Sequence, residues 1–180
     1  MDDCTSALNS GKQVEVVFTD FAKAFDKVPH QRLLLKLHVR SYGLGDKIIS
    51  WIRDFLCFRT QRVRIENSYS SPAPVKSGIP QGSVLGPLLF VIYINDLPDV
   101  CHNLCSLFLF ADDAKMYKVI HEHNDLTLLV AACQELLEWC DRWCMTFNTD
   151  KCKALTLCKS TAQANTNANA TLDIPYKGHI

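Results

Sequence analysis

Two apolar, β-prone runs, Ser106–Phe110 and Ala114–Ile120, are separated only by Ala111-Asp112-Asp113. So short a connection makes the two runs an antiparallel hairpin with the aspartates at its tip. The residues on both sides are apolar, so the turn leaves a buried sheet rather than a polar loop. Two carboxylates this close repel each other unless a hard cation neutralises them. Mg²⁺ suits that task, because it takes oxygen ligands and completes its octahedron with water or phosphate oxygens. Taken alone, the dipeptide also reads as a solvated turn.

Around this hairpin the pattern predicts further elements. Val14–Thr19 reads as a central strand, mostly apolar, with Asp20 at its C-terminal end. Residues 1–13 are polar and show no strong period. Pro29 suits a first helical turn, and Leu33, Leu34 and Leu37 recur at helical spacing up to Tyr42-Gly43. A second helix is expected over Asp46–Phe58, burying Ile48, Ile49, Ile52, Phe55 and Leu56. Thr60–Ile65 and a return through Pro74-Val75 form a hairpin that sets Arg62 and Arg64 on one face. Ser77–Gly86 holds Gly78, Pro80, Gly82 and Gly86, a loop with unusual backbone demands, and Pro87 begins a helix that Pro98 closes off. Asn124–Met145 is the clearest helix, with Leu126, Leu129, Val130, Cys133, Leu136, Leu137, Cys140 and Trp143 as its stripe. Lys151–Leu157 reads as a strand, Ser160–Thr171 as a loose linker, and Leu172–Ile180 as the start of another strand. The order defines an α+β domain, an antiparallel sheet backed by helices.

Nineteen basic and nineteen acidic side chains cancel, so net charge points to no polyanionic partner. Their distribution does. Eight Lys and Arg residues lie between Val28 and Arg64 against Asp46 and Asp54, a segment able to follow a phosphate backbone or to serve as a solvated face. The nine cysteines follow no secretory leader, so they are expected as reduced thiols in a cytoplasmic or nuclear protein that is not secreted. Cys101/Cys105 and Cys140/Cys144, with His102, His121 and His123 nearby, leave a zinc site open, although Cys133, Cys140 and Cys144 also fit an apolar helical face. The longest apolar run, Val84–Ile94, contains Gly86 and Pro87 and is too short to cross a bilayer. No membrane partner is expected.

Asp20, Asp112 and Asp113 stand at or just past strand ends. If the first strand lies beside the hairpin, the carboxylates converge at one end of the sheet. That arrangement suits two divalent ions roughly 3.5–4 Å apart, one activating an attacking hydroxyl and the other holding leaving phosphate oxygens. Neighbouring strand residues point to opposite faces, so Asp112 is expected to bind both ions with Asp20, leaving Asp113 as a secondary or structural partner.

Three blocks, Phe18-Thr19-Asp20-Phe21-Ala22-Lys23-Ala24-Phe25-Asp26-Lys27-Val28-Pro29-His30, Ser77-Gly78-Ile79-Pro80-Gln81-Gly82-Ser83-Val84-Leu85-Gly86-Pro87 and Phe110-Ala111-Asp112-Asp113, closely resemble palm motifs A, B and C of reverse transcriptases, in order. The resemblance is to the non-LTR (LINE-like) retrotransposon branch. A fourth block, Phe147-Asn148-Thr149-Asp150-Lys151, resembles motif D. The resemblance implies a polymerase palm over 14–158 with partial fingers and no thumb, after a remnant at 1–13 and before a linker and truncated strand at 159–180. It implies Asp20, Asp112 and Asp113 as catalytic metal ligands for two Mg²⁺ ions, with Mn²⁺ as a substitute, and Lys151 as proton donor to pyrophosphate, with Lys153 near enough to compete. Phe21, Phe25, Pro80, Gln81, Gly82 and Ala111 would contact substrate. Phe25 would exclude a ribose hydroxyl, although plain core packing explains a phenylalanine equally well.

The implied reaction is attack of a DNA primer 3′-hydroxyl on the α-phosphorus of a deoxynucleoside triphosphate, directed by an RNA template. Some twenty residues precede Asp20, so the fingers strands, thumb and endonuclease segments of a full element would be partners in another part of the polypeptide. The expectation is a fragment with little activity alone. A silent retroelement remnant that at most binds RNA, an RNA-dependent RNA polymerase palm and a metal-dependent nuclease are the rival readings. The nuclease gives no reason for Pro80-Gln81-Gly82.

Overall fold

The computed structural model describes residues 2–39 and 42–159. In chain order its elements are α1 (Asp2–Asn9), β1 (Gln13–Asp20), α2 (Ala24–Lys27), α3 (His30–Val39), α4 (Asp46–Leu56), β2 (Thr60–Gln61), β3 (Arg64–Ile65), β4 (Ser68–Tyr69), β5 (Ala73–Pro74), α5 (Leu85–Ile94), α6 (Leu97–Val100), β6 (Ser106–Phe110), β7 (Asp113–Ile120), α7 (His123–Trp143) and β8 (Lys153–Leu157). They fall into two compact units, one formed by the chain up to Ala22 and from Asp96 onward, the other by Lys23–Asn95.

The first unit is built on a four-stranded antiparallel sheet in the order β6-β7-β1-β8. The apolar β1 sequence is the reason for its place: Val14, Val16 and Val17 are buried between two neighbours, as a strand covered on both faces requires. At one end of the sheet α1 packs Ala7, with Cys4 and Leu8, over Val14, Val16 and Tyr117. Helix α7 packs along β7 and buries Leu129, Ala132, Cys133, Leu136, Trp139 and Cys140. Its N-terminus is closed by a capping box between Glu122 and Asp125, which satisfies donors that a helix end leaves unpaired. Trp139 donates from Nε1 to Asp96 Oδ1 at 3.2 Å. Among the described residues β6 pairs with β7 alone, and it turns Phe108 and Phe110 outward.

In the second unit α3 packs against α4 and α5. Helix α5 buries Gly86, Leu89, Phe90, Tyr93 and Ile94. Lys36 is buried, donating to the Tyr93 carbonyl at 2.5 Å with its ammonium 4.8 Å from the Tyr93 ring centre. That carbonyl lies in the last turn of α5, where acceptors lack helical partners and a cation is favoured.

The structure departs from the sequence reading at several points. Residues 2–9 are helical although their polar pattern announces no element; the burial of Ala7 stabilises what periodicity does not show. Pro98 does not end a helix but opens the short α6, at its second position, where its missing N–H costs nothing. Ile48 is half exposed, so the buried side of α4 is narrower than expected. The hairpin at 60–74 is two short ladders rather than one, with Arg62 outside both. In α7, Trp139 and Ala132 are core residues that the expected stripe omitted. The expected linker and last strand lie outside the described residues.

Candidate active site

The sheet of the first unit sets the acidic residues. Strands β1 and β7 pair in a register that places Asp20 directly opposite Asp113. Phe110 pairs with Asp113 across β6 and β7, so the hairpin loop is only Ala111-Asp112. Asp113 therefore belongs to the strand and Asp112 to the turn. Ala111 makes that turn at φ 53°, in the left-handed region that costs a side chain about 1–2 kcal/mol. An alanine tolerates it because its Cβ is the smallest obstacle a non-glycine residue presents.

The end of β1 is pinned by the segment after α7. Asn148 N–H donates to the Asp20 carbonyl at 2.7 Å, and Ala22 N–H donates to the Thr146 carbonyl at 2.8 Å. Phe21 is buried, stacked on Phe147 at 4.8 Å and tilted against Trp139 at 6.2 Å. Its ring is thus part of the core. Lys151 lies in the turn before β8, and its ammonium is 3.3 Å from Asp20 Oδ2. A cavity of about 470 Å³ opens here, lined by Phe18, Asp20, Phe110, Asp113, Lys115 and Lys151 among others. The Lys115 ammonium sits 5.2 Å from the Phe18 ring centre, a cation–π contact.

The donor set is all carboxylate oxygen, which fits a hard divalent cation. The side chains are not gathered for one: among the described residues no three His, Cys, Asp or Glu side chains are placed to hold a metal ion. The Lys151 ammonium meets one oxygen of Asp20 instead. Nor do the cysteines and histidines around Cys101/Cys105 and Cys140/Cys144 form such a group among the described residues.

The remaining predicted substrate residues belong to the second unit. Phe25, Pro80, Gln81 and Gly82 line one cavity of about 400 Å³. Phe25 also stacks on Phe90 at 4.5 Å, so one ring serves both core and cavity. Pro80 and Gln81 further line a larger cavity of about 720 Å³ with Lys23, Asp26, Arg59 and Lys76. Lys23 and Lys76 were not singled out from sequence; each is an isolated lysine there, and only folding sets them beside Arg59.

The Gly78–Gln81 loop is clasped to the turn after Phe25. His30 Nε2 lies 2.8 Å from the Gly78 carbonyl. Gly78 N–H donates to the Val28 carbonyl at 2.9 Å and Ile79 N–H to the Phe25 carbonyl at 2.8 Å. Ser77 Oγ donates to the Asp26 carbonyl at 3.0 Å, and Gln81 Nε2 donates to Asp26 Oδ1 at 2.8 Å. Gly82 adopts φ +78° with open space around it, so conformation rather than crowding requires glycine there.

The antiparallel sheet with helices, and acidic residues on its central strands, define a palm-type polymerase fold. The chain matches the family model "Reverse transcriptase (RNA-dependent DNA polymerase)" over residues 2–178 and belongs to that family. Among curated relatives it is 33% identical over 162 residues to a probable RNA-directed DNA polymerase from transposon BS of Drosophila melanogaster, covering 81% of this chain and 16% of that protein. It is 32% identical to the X-element polymerase of the same organism, over 84% of this chain and 17% of the relative. The jockey mobile-element polymerase, again from Drosophila melanogaster, is 30% identical over 80% of this chain and 16% of its own length. The chain thus spans about a sixth of these relatives. A telomerase from Candida tropicalis shares the fold, with TM-score 0.64 and 14% identity over 89% of this chain and 35% of the telomerase. The family generally uses divalent metal ions, and no helix among the described residues is long and apolar enough to cross a membrane.

Proposed function

We propose that this chain carries the catalytic palm of a non-LTR retrotransposon reverse transcriptase, acting on a DNA primer, an RNA template and deoxynucleoside triphosphates in a cytoplasmic or nuclear setting. The observation that carries the reading is the register of β1 on β7, which sets Asp20 opposite Asp113 with Asp112 next to it. Asp20 and Asp112, with Asp113, would hold two Mg²⁺ or Mn²⁺ ions once Lys151 moves off Asp20. When bound, such ions activate the primer hydroxyl and neutralise charge on the leaving pyrophosphate.

The chain's own part is placement. The backbone bond from Asn148 to the Asp20 carbonyl holds one carboxylate at the sheet end. Lys151, 65% exposed, is free to swing toward a leaving group and supply a proton there. In the second unit Phe25, Pro80, Gln81 and Gly82 would face the nucleotide, and the cavity with Lys23, Arg59 and Lys76 suits a phosphate-bearing substrate.

The test is a Mn²⁺ titration followed by electron paramagnetic resonance, with primer–template and a deoxynucleoside triphosphate present. Binding by the wild-type chain should weaken about tenfold or more in Asp20→Asn and in Asp112→Asn. A wild-type chain that binds no Mn²⁺ turns the reading to the silent remnant, which the Asp20–Lys151 ion pair and the ungathered carboxylates favour. Primer extension by the same chain, lost in Asp112→Asn, would show that it needs no further segment for activity.

A further inference from the structure

The segment joining α6 to β6 holds two cysteines one turn apart. Cys105 N–H donates to the Cys101 carbonyl at 3.1 Å and Leu104 N–H to the same oxygen at 2.9 Å. This closes a helical turn and leaves the two Cα atoms about 6 Å apart, within the span that a disulfide bridges.

Their surroundings differ. Cys101 is fully buried, and its Sγ lies 3.7 Å from the Ala132 carbonyl of α7. Cys105 is partly exposed and lines a cavity of about 370 Å³ with His102, Tyr117, Lys118, His121 and Asp125 among others. Lys118 is fixed beside it, donating from Nζ to the Leu104 carbonyl at 2.9 Å and lying 3.6 Å from Asp125 Oδ1.

Charge follows the same asymmetry. The Cys105 thiol is drawn below its ordinary value, first by its pairing with the Cys101 side chain and further by the Lys118 ammonium, against the opposing effect of burial. The same pairing, followed by burial, drives the Cys101 thiol upward. The accessible sulfur stands at the cavity wall beside a cation, and the other lies buried behind it.

We propose that Cys105 and Cys101 form a peroxide-reactive pair, Cys105 as the attacking thiolate and Cys101 as the resolving thiol. The Cys105 sulfur attacks one peroxide oxygen, the O–O bond breaks, and the leaving hydroxide takes up the proton that Cys105 released, giving the first water. Cys105 is now a sulfenic acid. The Cys101 sulfur attacks the Cys105 sulfur, the S–O bond breaks, and the departing hydroxyl takes the Cys101 proton as a second water. Two thiols lose two electrons in all, and one hydrogen peroxide accepts them. The resulting bond fastens the turn immediately before β6. This inference is independent of the polymerase reading.

The reduced chain is treated with hydrogen peroxide at neutral pH, alkylated, cut with trypsin and examined by mass spectrometry. Cuts after Lys76 and Lys115 release one peptide, 77–115, that carries both cysteines and no other. It should be recovered two hydrogens lighter and unalkylated. Cys101→Ser should leave Cys105 as a sulfenic acid that dimedone traps. Lys118→Met should slow the loss of the Cys105 thiol several-fold, a comparison that stands if the buried Cys101→Ser variant fails to fold. Recovery of the peptide with both cysteines alkylated, or a bond from Cys105 to Cys133 or Cys144, overturns the assignment.

Discussion

At Gly78 two demands meet on one residue. Its φ is +94°, and a Cβ built there would come within 2.8 Å of the Asp26 carbonyl oxygen and 3.0 Å of the Asp26 Cα. Neither obstacle is the end of a flexible side chain, so the backbone itself must shift. Gly78→Ala should therefore cost more than about 2 kcal/mol, read as a lower denaturant midpoint, and should break the His30 bond to the Gly78 carbonyl. The sequence marks this position as unusual, since glycines crowd Ser77–Gly86. It does not say against what the glycine is pressed, because Asp26 lies far away along the chain. The same limit applies to Asp20: its place at a strand end is legible, whereas its ion pair with Lys151 depends on how β8 is reached. The packing of Phe21 is hidden from the sequence for a related reason. A motif shows which residues stand together in sequence, and only packing shows that this ring is spent on Phe147 and Trp139.

Among the elements, the start of α7 is the most sensitive to acid. The Asp125 carboxylate accepts from His121 N–H at 2.8 Å and Glu122 N–H at 3.1 Å. Those bonds, the His121 one first, hold it below the ordinary carboxylate value, with help from Lys118. A depressed native value means that its contribution is fully present above the unfolded-state value and is lost as pH falls through the native one. Helix α7 should thus fray from its N-terminus in acid, and Asp125→Asn should flatten the acid limb of stability against pH, measured by circular dichroism. Helices and strands with a clean period were legible to within two or three residues: β6 is Ser106–Phe110 as expected, and α7 differs from its forecast by only a residue or two at each end. Elements without a period were not. Helix α1 is marked by no repeat, and α6 is hidden behind a proline that can either start or stop a helix.

For the molecule as a whole, the charge of zero means that any attraction to nucleic acid must come from local concentrations of cation. The basic stretch is smaller than its sequence suggests, because Lys36 is buried. Arg59 and Arg64 remain exposed, each against an aromatic ring, and Arg62 is exposed nearby. If they follow an RNA backbone, each replacement by Ala should lower the slope of log affinity against log salt by about 0.7, measured by fluorescence anisotropy on a labelled single strand. An unchanged slope would assign these residues to solvent alone. Strand β6, Ser-Leu-Phe-Leu-Phe, has no partner on its outer side among the described residues and bears neither charge nor proline to discourage one. Its unfilled amides and carbonyls can template a strand from another molecule. Crowded solutions of this protein should consequently cross-pair and precipitate through that rim, and a lysine in place of Phe108 would act as a gatekeeper against it.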